Sequence, residues 1–143
     1  MALAALAATP ALASGDDAQI TDIMAVLMYE KSGTLSDDLT RMEDFTGWNT
    51  IIGEGSAKEP ASDIVIAVVL SSDKEIYDDG VLTILARSGD KVIGMRKFKG
   101  LYVNTTAQRF LYLKDATCEG EITLEAKMGD QSRSETIELF CGE

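Results

Sequence analysis

The stretch Cys118-Glu-Gly-Glu-Ile-Thr-Leu-Glu-Ala-Lys-Met-Gly-Asp-Gln-Ser-Arg-Ser-Glu-Thr-Ile-Glu-Leu-Phe-Cys141 reads as two strands around a two-residue turn. With Gly129-Asp130 as the turn, Met128 faces Gln131, and counting outward sets Ile122 against Ile137 and Cys118 against Cys141. Turn chemistry and cysteine spacing therefore agree on one register. The same count puts the cysteines at a hydrogen-bonded pair, where opposing side chains stand further apart than at the alternate sites. Either a bulge shifts the register there, or the bond joins strands in another arrangement.

Cys118 and Cys141 are the two cysteines, and histidine is absent. Their separation is too long for a CxxC redox unit, and no imidazole exists to complete a zinc site, so the pair is read as a disulfide. A disulfide implies an oxidising compartment, periplasmic or extracellular. Residues 1–13, Met-Ala-Leu-Ala-Ala-Leu-Ala-Ala-Thr-Pro-Ala-Leu-Ala, fit the apolar and cleavage regions of a secretory signal. Ala11-Leu12-Ala13 is its small-x-small site, although the basic start is missing. The competing reading is a short buried or amphipathic helix. No later run reaches the ~18 uncharged apolar residues of a membrane span.

With 143 residues, the chain is sized for one domain, taken as residues 14–143, and the 45% hydrophobic and 26% charged content suits a folded core rather than disorder. Working back from the closing hairpin, Val81 to Arg87 and Lys91 to Phe98 flank Ser88-Gly89-Asp90, a second hairpin with the same Gly-Asp turn. Ile64 to Leu70 is an unbroken β-branched run, the pattern of a central strand covered on both sides. Ile20 to Tyr29 fits a buried strand better than a short helix. Leu101 to Val103 and Arg109 to Lys114 are further strands, separated by the turn Asn104-Thr105-Thr106, also a formal glycosylation sequon. Ser36 to Phe45 carries Leu39, Met42 and Phe45 at near-helical spacing behind a capping Ser36, which predicts a turn or two of helix. Trp48 to Ile52 is expected as a strand entering a loop where Gly53 and Gly55 take positive φ, and Ser71 to Gly80 as a polar connection.

Seven to nine short strands separated by turn signals specify an all-β, antiparallel β-sandwich, and immunoglobulin-like architecture is the expectation. The likeness is architectural alone, because both cysteines follow Trp48 instead of flanking it.

The absence of histidine removes Ser-His-Asp and Cys-His catalysis. Ser56-Ala-Lys58 and Ser72-Asp-Lys74 lack a nucleophile context, and Gly53/Gly55 lack the strand and helix of a phosphate loop. The chain is therefore read as a non-enzyme with no cofactor. Calcium at Asp37-Asp38 or Asp78-Asp79, a carbohydrate platform using Trp48, Tyr77, Tyr102 or Tyr112, and a carboxylate-based hydrolase are the alternatives.

A net charge of -11 opposes nucleic acid and anionic membranes as partners. Its distribution is uneven. Between Val81 and Lys114 stand Arg87, Lys91, Arg96, Lys97, Lys99, Arg109 and Lys114 against Asp90 alone, so this window carries +6 and the rest -17. The expectation is an accessory or assembly subunit whose basic patch meets another protein or a second copy of itself. The competing view is that basic strands merely neighbour acidic ones, with Lys97 and Lys99 guarding a sheet edge.

Overall fold

A computed structural model describes residues 17–142, so the expected leader at residues 1–13 lies outside the described residues. Seven strands run in chain order: β1 (Gln19–Met28), β2 (Asp63–Ser71), β3 (Ile76–Ser88), β4 (Lys91–Val103), β5 (Thr106–Leu113), β6 (Gly120–Met128) and β7 (Gln131–Leu139). They form two antiparallel sheets, ordered β1-β2-β5 and β4-β3-β6-β7. Alternation explains the layering. Ile23, Ala25 and Leu27 of β1, Ile64, Ile66 and Val68 of β2, Leu82, Ile84 and Ala86 of β3, and Ile122, Leu124 and Ala126 of β6 are all buried in one cluster. A period-two pattern can bury one face of a sheet only against another apolar face, so both sheets turn these rows onto the same core.

Both Gly-Asp hairpins form as read. Ser88 pairs with Lys91 and Met128 with Gln131, and β6 and β7 hold an unshifted register to Gly120↔Leu139. The cysteines are disulfide-bonded with Cα atoms 4.9 Å apart. They lie two residues past the last ladder pair. Gly120 there takes φ 79°, which turns the chain out of the strand before Cys118 and relaxes the spacing that a hydrogen-bonded pair would impose. No bulge is needed.

β2 is the central strand of its sheet, with its inner face fully buried and Val65 and Val69 half-buried on the other. Where the sequence suggested a polar connection, Ile76–Gly80 belongs to β3, because Ile76 and Tyr77 pair with Val103 and Tyr102. Leu101 to Val103 is correspondingly the end of β4 and not a separate strand. Trp48 to Ile52 is not a strand either: Thr50–Ile52 is a single 3-10 turn, entered through Asn49 at φ 50°. Gly53 and Gly55 do take positive φ.

The helix expected from Ser36 to Phe45 is replaced by an irregular cover along the free edge of β1. Ser36 N donates to the Leu27 carbonyl and Leu39 N to the Ala25 carbonyl. In return Ser36 Oγ accepts from Leu27 N at 2.8 Å and Asp38 Oδ1 from Ala25 N at 3.0 Å. Ser and Asp are helix-capping residues because their side chains satisfy backbone N–H groups, and here they satisfy those of a strand instead. Helical spacing survives as one-sided packing, with Leu39 buried and Met42 and Phe45 packed on the core.

Glu59 fastens the preceding turn. Its Oε1 accepts from Lys31 N at 2.9 Å and from Ser32 N at 2.8 Å, and these bonds, the Ser32 backbone first, hold its carboxyl below the usual carboxylate range. A lowered folded pKa stabilises the turn above the unfolded carboxylate pKa, and that contribution is lost as pH falls through the lowered value. Acid titration followed by NMR is expected to move the Lys31 and Ser32 amide signals with a midpoint below that of an unconstrained glutamate; Glu59→Gln should remove this step. Replacing Cys118 and Cys141 by serine is expected to cost about 3 kcal/mol in chemical denaturation, the chain-entropy value for a loop of this length.

Candidate binding surfaces

The pleat divides the seven basic residues of the charged window. Pairing of Val81, Thr83 and Arg87 with Lys99, Lys97 and Val92 puts all six on one face, opposite the buried Leu82 and Ile84, so Arg87, Lys97 and Lys99 project outward from the four-stranded sheet. Lys127, opposite Thr83 on β6, joins them on that face and lies 3.7 Å from Glu125. Sequence reasoning missed Lys127 because it lies in the acidic C-terminal hairpin.

Arg96 and Arg109 point the other way, being paired with Ile84 and Val68 of the inner face. At the seam between β4 and β5 their guanidinium carbons stand 4.5 and 6.0 Å from the Phe98 ring centroid. Arg96 also donates to the Phe110 carbonyl at 3.2 Å. These arginines close the seam by cation–π contact and by occupying a backbone acceptor on β5. Lys91 lies at the β3–β4 turn, 3.9 Å from Glu119, and Lys114 lies in the turn after β5. The window therefore yields an outer trio, a seam pair and two turn lysines instead of a single patch.

The trio shares its face with exposed apolar side chains. Met95 is 56% exposed, Val92 52%, Tyr102 52% and Tyr77 71%. Tyr77 and Tyr102 are cross-strand partners at the end of the β3–β4 ribbon that runs beyond β6, and a hydrogen bond to Glu75 raises the Tyr102 phenol above its ordinary pKa. The outer face of the three-stranded sheet is apolar as well. Met24, Ala67 and Phe110 align across it, as do Val26, Val65 and Tyr112.

A third feature is concave. A cleft of about 460 Å³ lies between residues 39–48 and the Thr136–Glu138 part of β7, lined by Leu39, Met42, Phe45, Trp48, Ile137 and Phe140 together with Thr40, Thr46, Thr136 and Glu138. Trp48 is fixed to β7 by a short parallel pairing in which Phe140 N donates to the Gly47 carbonyl and Asn49 N to the Phe140 carbonyl. Gly47 permits this approach, since a Cβ there would meet the Glu138 carbonyl oxygen at 2.0 Å. Phe45, Trp48 and Phe140, scattered in the sequence, thus line one cleft. Tyr77, Tyr102 and Tyr112 are not among the residues lining it.

Glu138 is the one ionisable residue lining this cleft, so the pair of carboxylates that glycoside hydrolysis needs is not assembled there. Among the described residues no three acidic, cysteine or histidine side chains gather as metal ligands. Asp38 and Asp78 spend their oxygens on backbone N–H groups, at Ala25 and at Ala18 and Gly80. The chain matches no protein-family profile and no curated protein.

Gly47→Ala is expected to destabilise the fold by about 1–3 kcal/mol through this close approach and to shift the emission of Trp48, the single tryptophan. Thermal denaturation and fluorescence read both; wild-type values in each would contradict the contact.

Proposed function

We propose that this chain is a non-catalytic binding or assembly domain of immunoglobulin-like architecture, working outside the cytoplasm and meeting an acidic protein partner through the outer face of the β3–β4 ribbon. The carrying observation is the composition of that face. Arg87, Lys97 and Lys99 surround exposed Met95, Val92 and Val81, with Tyr77 and Tyr102 at one end. Aromatic residues, Met and Arg are the types enriched at protein interfaces, and a basic face on a body of net charge -11 favours a partner of opposite sign.

None of the three outer cations forms an ion pair within the described residues, whereas Lys91 and Lys127 do. The trio's charge is therefore uncompensated by ion pairs among the described residues, whereas Lys91 faces Glu119 and Lys127 a glutamate of its own strand.

The architecture is supported by strand order. β1-β2-β5 beside β3-β6-β7 reproduces the two sheets of an immunoglobulin constant-type domain, with β4 moved to the edge next to β3. Export is supported by the disulfide, a bond that persists in oxidising compartments.

Reversing Arg87, Lys97 and Lys99 to glutamate is expected to weaken partner recovery from the native host roughly 30-fold or more, and raising the salt should weaken the wild-type association in the same direction. Thermal denaturation of the variant serves as the folding control. Undiminished recovery by a folded variant would overturn the assignment.

A further inference from the structure

Two sheets have four edges, and this molecule treats one of them differently. Along β1, Ser36 and Asp38 accept the outward N–H groups of Leu27 and Ala25. On β5, Arg96 occupies the Phe110 carbonyl. On β4, register shifts at Asp78/Val81 and Ala86/Arg87 break the ladder, and Lys97 and Lys99 charge the strand. Bulges, inward charges, lysines and covering segments are the ways by which sheets avoid pairing with other chains. β7 carries no lysine, no proline and no register shift; its inward charges are Arg133, which lies 3.9 Å from Asp22 of β1, and Glu135, and neither occupies an outward backbone group.

Hydrogen bonds to other parts of the chain engage β7 at its ends. Gln131 clasps Ile20 N and the Ala18 carbonyl with its side chain, and beyond the last ladder pair Phe140 pairs with Gly47 and Asn49. The two-residue turn fixes which residues bond to β6, namely 131, 133, 135, 137 and 139. The outward set is therefore Ser132, Ser134, Thr136 and Glu138, the parity that Phe140 shares and already uses. Among the described residues no hydrogen bond engages the outward backbone groups of Ser132, Ser134 or Thr136. The cleft opens beside this bare stretch, at Thr136 to Glu138.

We propose that β7 is a strand-addition site for an extended, basic peptide segment of a partner. The peptide backbone bonds to Ser132, Ser134 and Thr136, and a lysine or arginine side chain enters the cleft. The lining selects that side chain. It offers three aromatic rings, Phe45, Trp48 and Phe140, and the Glu138 carboxylate, with no basic residue. Glu43 and Asp44 stand in the same wall segment, between Met42 and Phe45. Aromatic faces with a carboxylate attract a cation whose methylene stem is apolar. Main-chain pairing gives affinity and the cleft gives specificity, the division of labour in peptide recognition by sheet edges. A second copy donating its own β7 would bring two carboxylates, Glu135 and Glu138, and a single cation, Arg133, already turned toward Asp22, so self-pairing does not supply the cation that the cleft selects.

The test uses the full chain and a short capped peptide of alternating threonine and valine with one central lysine, compared with the same peptide carrying a central glutamate. The lysine peptide is expected to slow amide exchange at Ser134 and Thr136 at least about tenfold, to shift Trp48 emission, and to bind at least about tenfold tighter than the glutamate peptide. Ser134→Pro removes one outward N–H and should abolish the protection, while Glu138→Gln, which leaves the backbone intact, should erase the preference for lysine. The Arg87, Lys97 and Lys99 reversal should leave peptide binding unchanged, which separates this site from the β3–β4 face. Equal binding of both peptides, no binding, or protection of amides away from β7 would overturn the proposal. So would protection of the same amides on concentrating the protein without peptide, which would assign the edge to a second copy.

Discussion

Everything in this fold follows from two sheets having to share one dry interior. Ile23, Ile66, Val68, Leu82, Ile84, Leu124 and Leu139 lose contact with solvent completely or nearly so, and a one-residue slip of any of their strands would carry its whole set to the wrong face. Register is therefore not negotiable in the middle of either sheet. It loosens at the seams, where the outermost strands of the two layers approach. Inward positions there can carry charge because a long side chain reaches past the apolar layer: Arg96 and Arg109 do so at the β4–β5 seam, and Arg133, 3.9 Å from Asp22 of β1, does so at the β1–β7 seam.

This division explains what could be read from the residues alone. Both Gly-Asp turns and the β-branched run at Ile64 to Leu70 are local signals, and the disulfide register followed from counting out from one turn. The segment from Ser36 to Phe45 misled because cap chemistry is blind to what is capped. A hydroxyl or carboxylate that satisfies the first N–H groups of a helix satisfies those of a strand edge equally well, and Ser36 and Asp38 do the latter. Similarly, Asp78-Asp79-Gly80 looked like the end of a connection, while in the fold its acidic side chain anchors Ala18 N and sits within a strand.

The surfaces were less legible than the core, and for the same geometric reason. A run of like charges in a strand is not a patch, since the pleat sends neighbours to opposite faces: Lys97 goes outward and Arg96 to the seam. Only pairing, which joins Thr83 to both Lys97 and Lys127, shows which cations share a surface. The cleft was invisible because its walls come from residues 39–48 and 136–140, and nothing in either stretch announces the other. Gly47 was the one local hint, a residue without a side chain where the backbone of β7 comes within touching distance.

The spacing of pairings along the chain sets an order of assembly. β3 with β4 and β6 with β7 are joined by two-residue turns, so these ribbons can zip within microseconds of being free to do so. β1 has no such neighbour. Met28 meets Asp63 only after residues 29–62 have been gathered into a loop, and β5 reaches β2 only after the β3–β4 ribbon has been laid aside. The larger layer is thus built by quick local steps and the smaller one by slow distant ones. Until the latter finish, Ile23, Ala25 and Leu27 and the inward residues of β2 have no completed layer to hold them against the core.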